Sequence, residues 1–206
     1  IPGKSTYNVL IVADRLGLPE LDALAAPVAD WTRDGNDPPW LFTTDQLKTS
    51  ADAFPIELAD IRQSRKTLFG DDLLDGENIQ QEHLRLQLER ELKGKLLSLR
   101  RHYLATRGDN RQIVALMTAS LTTFLVLFRG ALRLFQPQVP AAKLEALTSL
   151  AKHVSFDPQP FRTVHELKTG GKPADHRAAG PLFADYLSAI EKLVDAIDRH
   201  IHSRTQ

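Results

Sequence analysis

Short, closely spaced apolar runs mark the first third of the chain. Residues 7–12 (YNVLIV) and 40–43 (WLFT) predict two buried strands, and residues 54–61 (FPIELADI) predict a third. Apolar residues at helical spacing predict a helix over residues 19–31, which Pro27 should shorten or kink. Residues 44–47 (TDQL) have the composition of a capped helix start. This succession of strands and helices is typical of an α/β arrangement.

The pattern changes to helical spacing from Glu82 onward. One apolar stripe recurs at intervals of three and four residues, and charged side chains occupy the opposite side of the same predicted helix. The stripe consists of Leu84, Leu88, Leu92, Leu96, Leu99 and Tyr103, and the charged side of Arg85, Glu89, Lys93 and Arg100. Further helices are predicted over residues 113–135, 141–152, 156–167 and 182–201. We therefore expect an α+β protein, with an α/β domain over residues 1–75 and a helical bundle over residues 76–206.

Residues 113–135 are apolar nearly all round, which raises the question of a membrane helix. The uncharged part, residues 113–128, holds 16 residues, whereas a bilayer span needs about 20. The segment is therefore predicted to be the central helix of the bundle, and no membrane partner is expected.

Composition narrows the remaining chemistry. The chain has 26 basic and 26 acidic side chains, so no basic excess points to a nucleic acid or an anionic membrane. It has no cysteine, which excludes disulfides, thiolate catalysis and cysteine-ligated zinc and favours a cytoplasmic location.

Local motifs add little. Gly3-Lys4-Ser5 is not a phosphate loop, because a predicted strand follows it where that motif requires a helix. The seven histidines show no metal-protease spacing. Gly94 lies inside a strong helical pattern at a cost of about 1 kcal/mol, which predicts that another element packs closely against it.

Four segments together resemble a known family. Residues 4–12 (KSTYNVLIV) are similar to the second catalytic segment of polymerase-β-type nucleotidyltransferases, written S-D-x-D before an apolar strand. Residues 54–61, 68–74 (LFGDDLL) and 82–100 (EHLRLQLERELKGKLLSLR) resemble the later part of bacterial nucleotidyltransferase-like proteins. The resemblance implies a partial, mixed nucleotidyltransferase-like sheet that is incomplete at its N-terminal side, followed by a helical bundle.

The resemblance also implies a site. In that superfamily two carboxylates on one strand and a third on a neighbouring strand hold two Mg²⁺ ions that assist nucleotidyl transfer. Ser5, Thr6 and Asn8 match the segment that would contact an NTP, and Asn8 and Glu57 would hold the metal. Glu57 matches the third carboxylate and is the catalytic candidate. Asp60 is the next choice, and alternation along a strand would put it on the face opposite Glu57.

The match fails where the paired aspartates should be. Thr6 and Asn8 carry no charge, whereas Mg²⁺ prefers anionic oxygen ligands. We therefore expect a catalytically impaired nucleotide- or partner-binding module. The alternative is an active Mg-dependent enzyme that transfers a nucleotidyl group from an NTP to a small-molecule or protein acceptor. A third hypothesis makes the bundle a homodimerisation surface with an exposed apolar patch on the final helix.

Overall fold

The computed structural model describes residues 8–75, 79–171 and 178–200. The chain divides into two compact units, Ile1–His83 and Leu84–Gln206. The described residues are mostly helical and include one two-stranded parallel sheet. The predicted α+β class with a helical bundle is confirmed at this level, although the sheet is parallel and not mixed.

The N-terminal unit begins with a strand–helix–strand arrangement. Strand β1 (Leu10–Ala13) runs parallel to β2 (Trp40–Thr43), with Leu10 opposite Trp40 and Ala13 opposite Thr43. Helix α1 (Leu18–Arg33) joins them and continues through Pro27 without ending there. The two predicted strands and the helix between them are thus present, while Tyr7 lies outside the described residues.

Helix α2 (Thr44–Thr49) starts where the sequence predicts it. The Thr43 hydroxyl accepts a hydrogen bond from Gln46 N–H at 3.2 Å, and Thr43 N–H donates to the Gln46 side chain at 3.0 Å. This reciprocal cap satisfies two backbone donors that the first helical turn leaves without a partner. Below the sheet lies a small core made of Phe42, Leu47, Leu58 and Leu74, with Leu10 and Val12 packed against it.

The predicted third strand is wrong. Residues 55–64 form helix α3 (Pro55–Ser64), in which Pro55 occupies the first turn, where its missing N–H has no cost. The segment IELADI alternates apolar and polar residues only as far as Leu58, and the spacing of Leu58 and Ile61 is helical. Both of these side chains pack on the core beneath the sheet. Tertiary packing therefore selects the helical period over the strand period.

The regular elements among the described residues of the C-terminal unit are all helices. Its helices are α4 (Gln81–Ala105, beginning in the first unit), α5 (Asn110–Leu132), α6 (Lys143–His153), α7 (Gln159–Thr169) and α8 (Ala179–Arg199). Helix α5 contacts α6, α7 and α8, as expected of a central helix. By length and composition alone, α5 is also the one described helix that could cross a membrane, a test that the core helix of a bundle can pass as well.

Three sequence expectations for this unit are wrong. Arg85 was expected on the exposed side of α4 but is buried. Gly94 is exposed, and nothing lies within 4 Å of the position that a Cβ would occupy there. The apolar face of the final helix is also not an exposed patch. Its side chains are buried in the unit, namely Phe183, Tyr186, Ile190, Leu193, Val194 and Ile197.

Candidate functional site

Only part of the segment that resembles the catalytic strand lies in the described residues. Asn8 is exposed and comes two residues before β1, so its side chain is accessible at the start of that strand. Ser5 and Thr6 lie outside the described residues. Of the three predicted nucleotide-contacting positions, Asn8 is therefore the one that the structure places.

Glu57 lies on a helix and not on a strand. It is half-buried in the first turn of α3, where a carboxylate interacts favourably with the positive end of the helix dipole. Asp60 follows one turn later and is half-buried too. Residues three apart on a helix are neighbours, so the prediction that Glu57 and Asp60 face opposite ways is wrong. The resemblance implies a carboxylate on a strand beside β1. Neither Glu57 nor Asp60 fits, because both lie on helix α3.

The described parts of the chain contain no group of three or more histidine, aspartate or glutamate residues arranged to hold a metal ion. The Mg²⁺ site that Asn8 and Glu57 would build therefore stays a prediction. Glu57 and Asp60 each have an interaction partner within the chain.

The helical unit has an open cavity of about 430 Å³ near the ends of α5, α6 and α8. The Phe135 ring lies between two imidazoles: it stacks on His153 with centroids 5.4 Å apart and meets His200 at 5.0 Å. Lys192 and Arg199 also line the cavity, and none of its described lining residues carries a carboxylate. A basic cavity with an aromatic floor is the kind of surface that binds an organic anion.

The helix ends provide another explanation for these basic side chains. Helix α6 ends at His153 and α8 ends at Arg199. The last carbonyl groups of a helix carry a partial negative charge that cations offset. Because two such ends meet the cavity, the positions of His153 and Arg199 are accounted for without a bound anion.

A second cavity, of about 520 Å³, is lined by α4 and α8 and is crossed by ion pairs. Lys93 Nζ lies 2.6 Å from Glu89 and 3.1 Å from Asp198, and Arg100 lies 2.7 Å from Glu191. The hydrogen bond to Glu89 is the largest cause of a raised pKa of Lys93, and the hydrogen bond to Asp198 is the next largest. These ion pairs link α4 to α8. Because the charged side chains pair with one another, the cavity offers few unpaired groups to a ligand.

Comparisons with protein-family models, curated proteins and solved structures find no match to this chain. The nucleotidyltransferase resemblance therefore rests on the quoted segments alone. Sequence reasoning missed the interhelical ion pairs of α4, since helical spacing identifies partners within one helix but not those on another helix.

Proposed function

We propose that this chain is a nucleotidyltransferase-like binding or assembly module that does not itself transfer a nucleotidyl group. The observation that supports it is where Asn8 and Glu57 lie in the fold. A neutral amide precedes β1 where the family motif requires a carboxylate, and the matching third carboxylate lies on helix α3.

The physical reason lies in the charge that two-metal catalysis requires. Two Mg²⁺ ions bring four positive charges close together, and carboxylates on adjoining strands offset them and fix the ions for in-line displacement. Asn8 supplies one neutral oxygen, and Glu57 is held in a helical turn with a partner of its own. These two residues alone do not provide the ligands for that chemistry.

A protein partner is favoured over a nucleotide by the apolar surface of the N-terminal unit. All four residues of β1 are only half-buried, and no residue of α1 is buried. Leu18 at the start of α1 is 71% exposed and Leu21 is 42% exposed. Parallel sheets are normally covered on both faces, so this unit has apolar surface available for another polypeptide.

Catalysis is tested by incubating the chain with each of the four NTPs and Mg²⁺ and measuring release of pyrophosphate. The proposal expects none above the rate in EDTA. Release that requires Mg²⁺ and is abolished in Glu57→Gln would overturn it. Glu145→Gln, an exposed first-turn glutamate on α6, is the matched control for a nonspecific effect.

A further inference from the structure

One edge of β1 has no partner strand among the residues that the structure describes. Trp40 N–H donates to the Val9 carbonyl at 2.8 Å. In a parallel ladder, alternate residues direct both backbone groups to the same side, so β1 uses Val9, Ile11 and Ala13 to bond β2. The N–H and C=O groups of Leu10 and Val12 then point to the other side. The described part of the chain contains no further strand there.

The two strands differ in how their outer edges are protected. Pro38 and Pro39 lead directly into β2, and proline at the start of a strand is typical of a sheet edge. The sequence of β1 is Leu-Ile-Val-Ala. It contains neither a proline nor a charged residue, and these are the residues that usually block pairing at a sheet edge. The composition of β1 is that of an interior strand.

We propose that the open edge of β1 pairs with β1 of a second copy of this chain, antiparallel across a two-fold axis. The result is a four-stranded sheet in the order β2-β1-β1-β2. The inference deepens the proposed assembly role, on which it rests, by naming the partner.

The backbone geometry limits the possible registers. In an antiparallel pair, residues that direct both backbone groups across the edge must lie opposite one another. This rule permits three symmetric registers, centred on Leu10, on Ile11 or on Val12. The register centred on Ile11 places Leu10 opposite Val12 of the second copy and Ile11 opposite Ile11 at the axis. In this register no two like charges meet.

The residues that flank β1 favour the same register. Counting outward from Ile11, Asn8 of one copy lies opposite Asp14 of the other, and both side chains are exposed. The Asn8 amide can donate a hydrogen bond to the Asp14 carboxylate, twice in the symmetric pair. A register centred on Leu10 places Asn8 opposite Val12, and one centred on Val12 places Asp14 opposite Leu10. The strand is thus complementary to itself, which identifies a second copy as the partner.

Cysteine cross-linking tests the register directly, because the native chain has no cysteine. Two Ile11 residues at the axis would have Cα atoms about 4.5 Å apart, within the range that a disulfide spans. Mild oxidation of Ile11→Cys should yield a covalent dimer at high efficiency. Leu41→Cys is the control: Leu41 neighbours Ile11 on β2, and its two copies would lie three strand spacings apart, about 14 Å. Equal cross-linking of both variants would overturn the register and the proposed interface.

Multi-angle light scattering provides the non-covalent test. The native chain should have twice its monomer mass of 23.0 kDa. Ile11→Lys should halve the mass by placing two ammonium groups opposite each other, while Leu41→Lys should keep it. Asn8→Asp should weaken the dimer at least tenfold, and Asn8→Asp combined with Asp14→Asn should restore it.

The outcomes separate this inference from the proposed function. A native chain that stays monomeric at all concentrations overturns the dimer, and so does a dimer that Ile11→Lys leaves intact while its circular dichroism is native. Neither result bears on pyrophosphate release. A dimer that releases pyrophosphate with Mg²⁺ overturns the non-catalytic function and leaves the interface standing.

Discussion

The hydroxyl groups of Ser120 and Tyr186 lie 3.2 Å apart and join α5 to α8 by a hydrogen bond. Tyr186 is fully buried, with the Phe161 ring 4.5 Å and the Phe124 ring 6.0 Å from its own centroid. Burial raises the pKa of the Tyr186 phenol, because a phenolate would lose its hydration, and the bond to Ser120 acts in the opposite direction. The centre of the helical unit therefore contains one ionisable group that must stay neutral.

Alkaline pH should destabilise the protein through this residue. An unfolded tyrosine ionises near a pKa of about 10, whereas Tyr186 in the fold keeps its proton to higher pH. Its contribution is therefore fully present below about pH 10 and is lost as pH rises toward the folded pKa. Urea unfolding between about pH 8 and about pH 11 should show a falling free energy of unfolding.

Tyr186→Phe should reduce that fall, and at neutral pH it should cost about 0.5–1.5 kcal/mol for the lost hydrogen bond. Tyr103→Phe is the control, since Tyr103 is only half-buried and stacks on Phe183 through its ring, which the substitution keeps. If Tyr186→Phe has the same alkaline slope as the native chain, the loss of stability comes from other groups.

Gly94→Ala should stabilise the protein by about 0.5–1 kcal/mol. Gly94 is an exposed residue inside α4, and an added Cβ meets nothing within 4 Å, so alanine gains helix propensity without a clash. Gly108→Ala is the contrasting variant, because Gly108 has φ of +81° and also has open space around it. It should destabilise through backbone strain alone. Thermal denaturation of both variants tests the pair, and a loss of stability in Gly94→Ala contradicts the open space.

The elements that the sequence predicted correctly share strong local signals. Residues 40–43 form an apolar run between proline and a helix cap, and the long stripe from Leu84 to Tyr103 has one unambiguous period. The strand predicted over residues 54–61 was wrong because a short run with Pro55 at its second position fits both the strand period and the helix period. Packing on Phe42 and Leu47 decided between the two. The prediction that another element packs against Gly94 was wrong because a sequence shows that a glycine is present but not what surrounds it.

The candidate site was harder to predict than the fold. Asn8 was predicted inside a strand over residues 7–12, whereas β1 begins two residues after it. The position of Glu57 depended on the secondary structure of its own segment, so one wrong period moved a supposed strand carboxylate onto a helix. The link from Lys93 to Asp198 depends on how α4 meets α8, which no local pattern encodes.

Glu89→Gln should destabilise the helical unit by about 1.5–3 kcal/mol, the range for hydrogen bonds between charged groups. Arg85 is only 7% exposed and donates to Glu89 at 2.7 Å, so removing the negative charge leaves a buried guanidinium facing a neutral amide. The control is Asp30→Asn, whose partner Arg33 lies at 2.8 Å with both side chains more than 70% exposed. That surface pair should contribute less than about 1 kcal/mol. Equal effects in chemical denaturation would show that burial of Arg85 does not strengthen the pair.

Asp109→Ala should destabilise the protein by about 1 kcal/mol through the cap of α5. The Asp109 carboxylate accepts hydrogen bonds from Arg111 N–H at 2.8 Å and Gln112 N–H at 3.0 Å, which would otherwise lack partners in the first turn. Asp109→Asn keeps an accepting oxygen and should lose only the charge–dipole part, about 0.3–1 kcal/mol. Because α5 contacts α6, α7 and α8, we expect the loss to lower the denaturation midpoint of the whole helical unit. Hydrogen exchange that accelerates only in residues 110–113, with an unchanged midpoint, would show instead that the first turn frays independently of the packed helix.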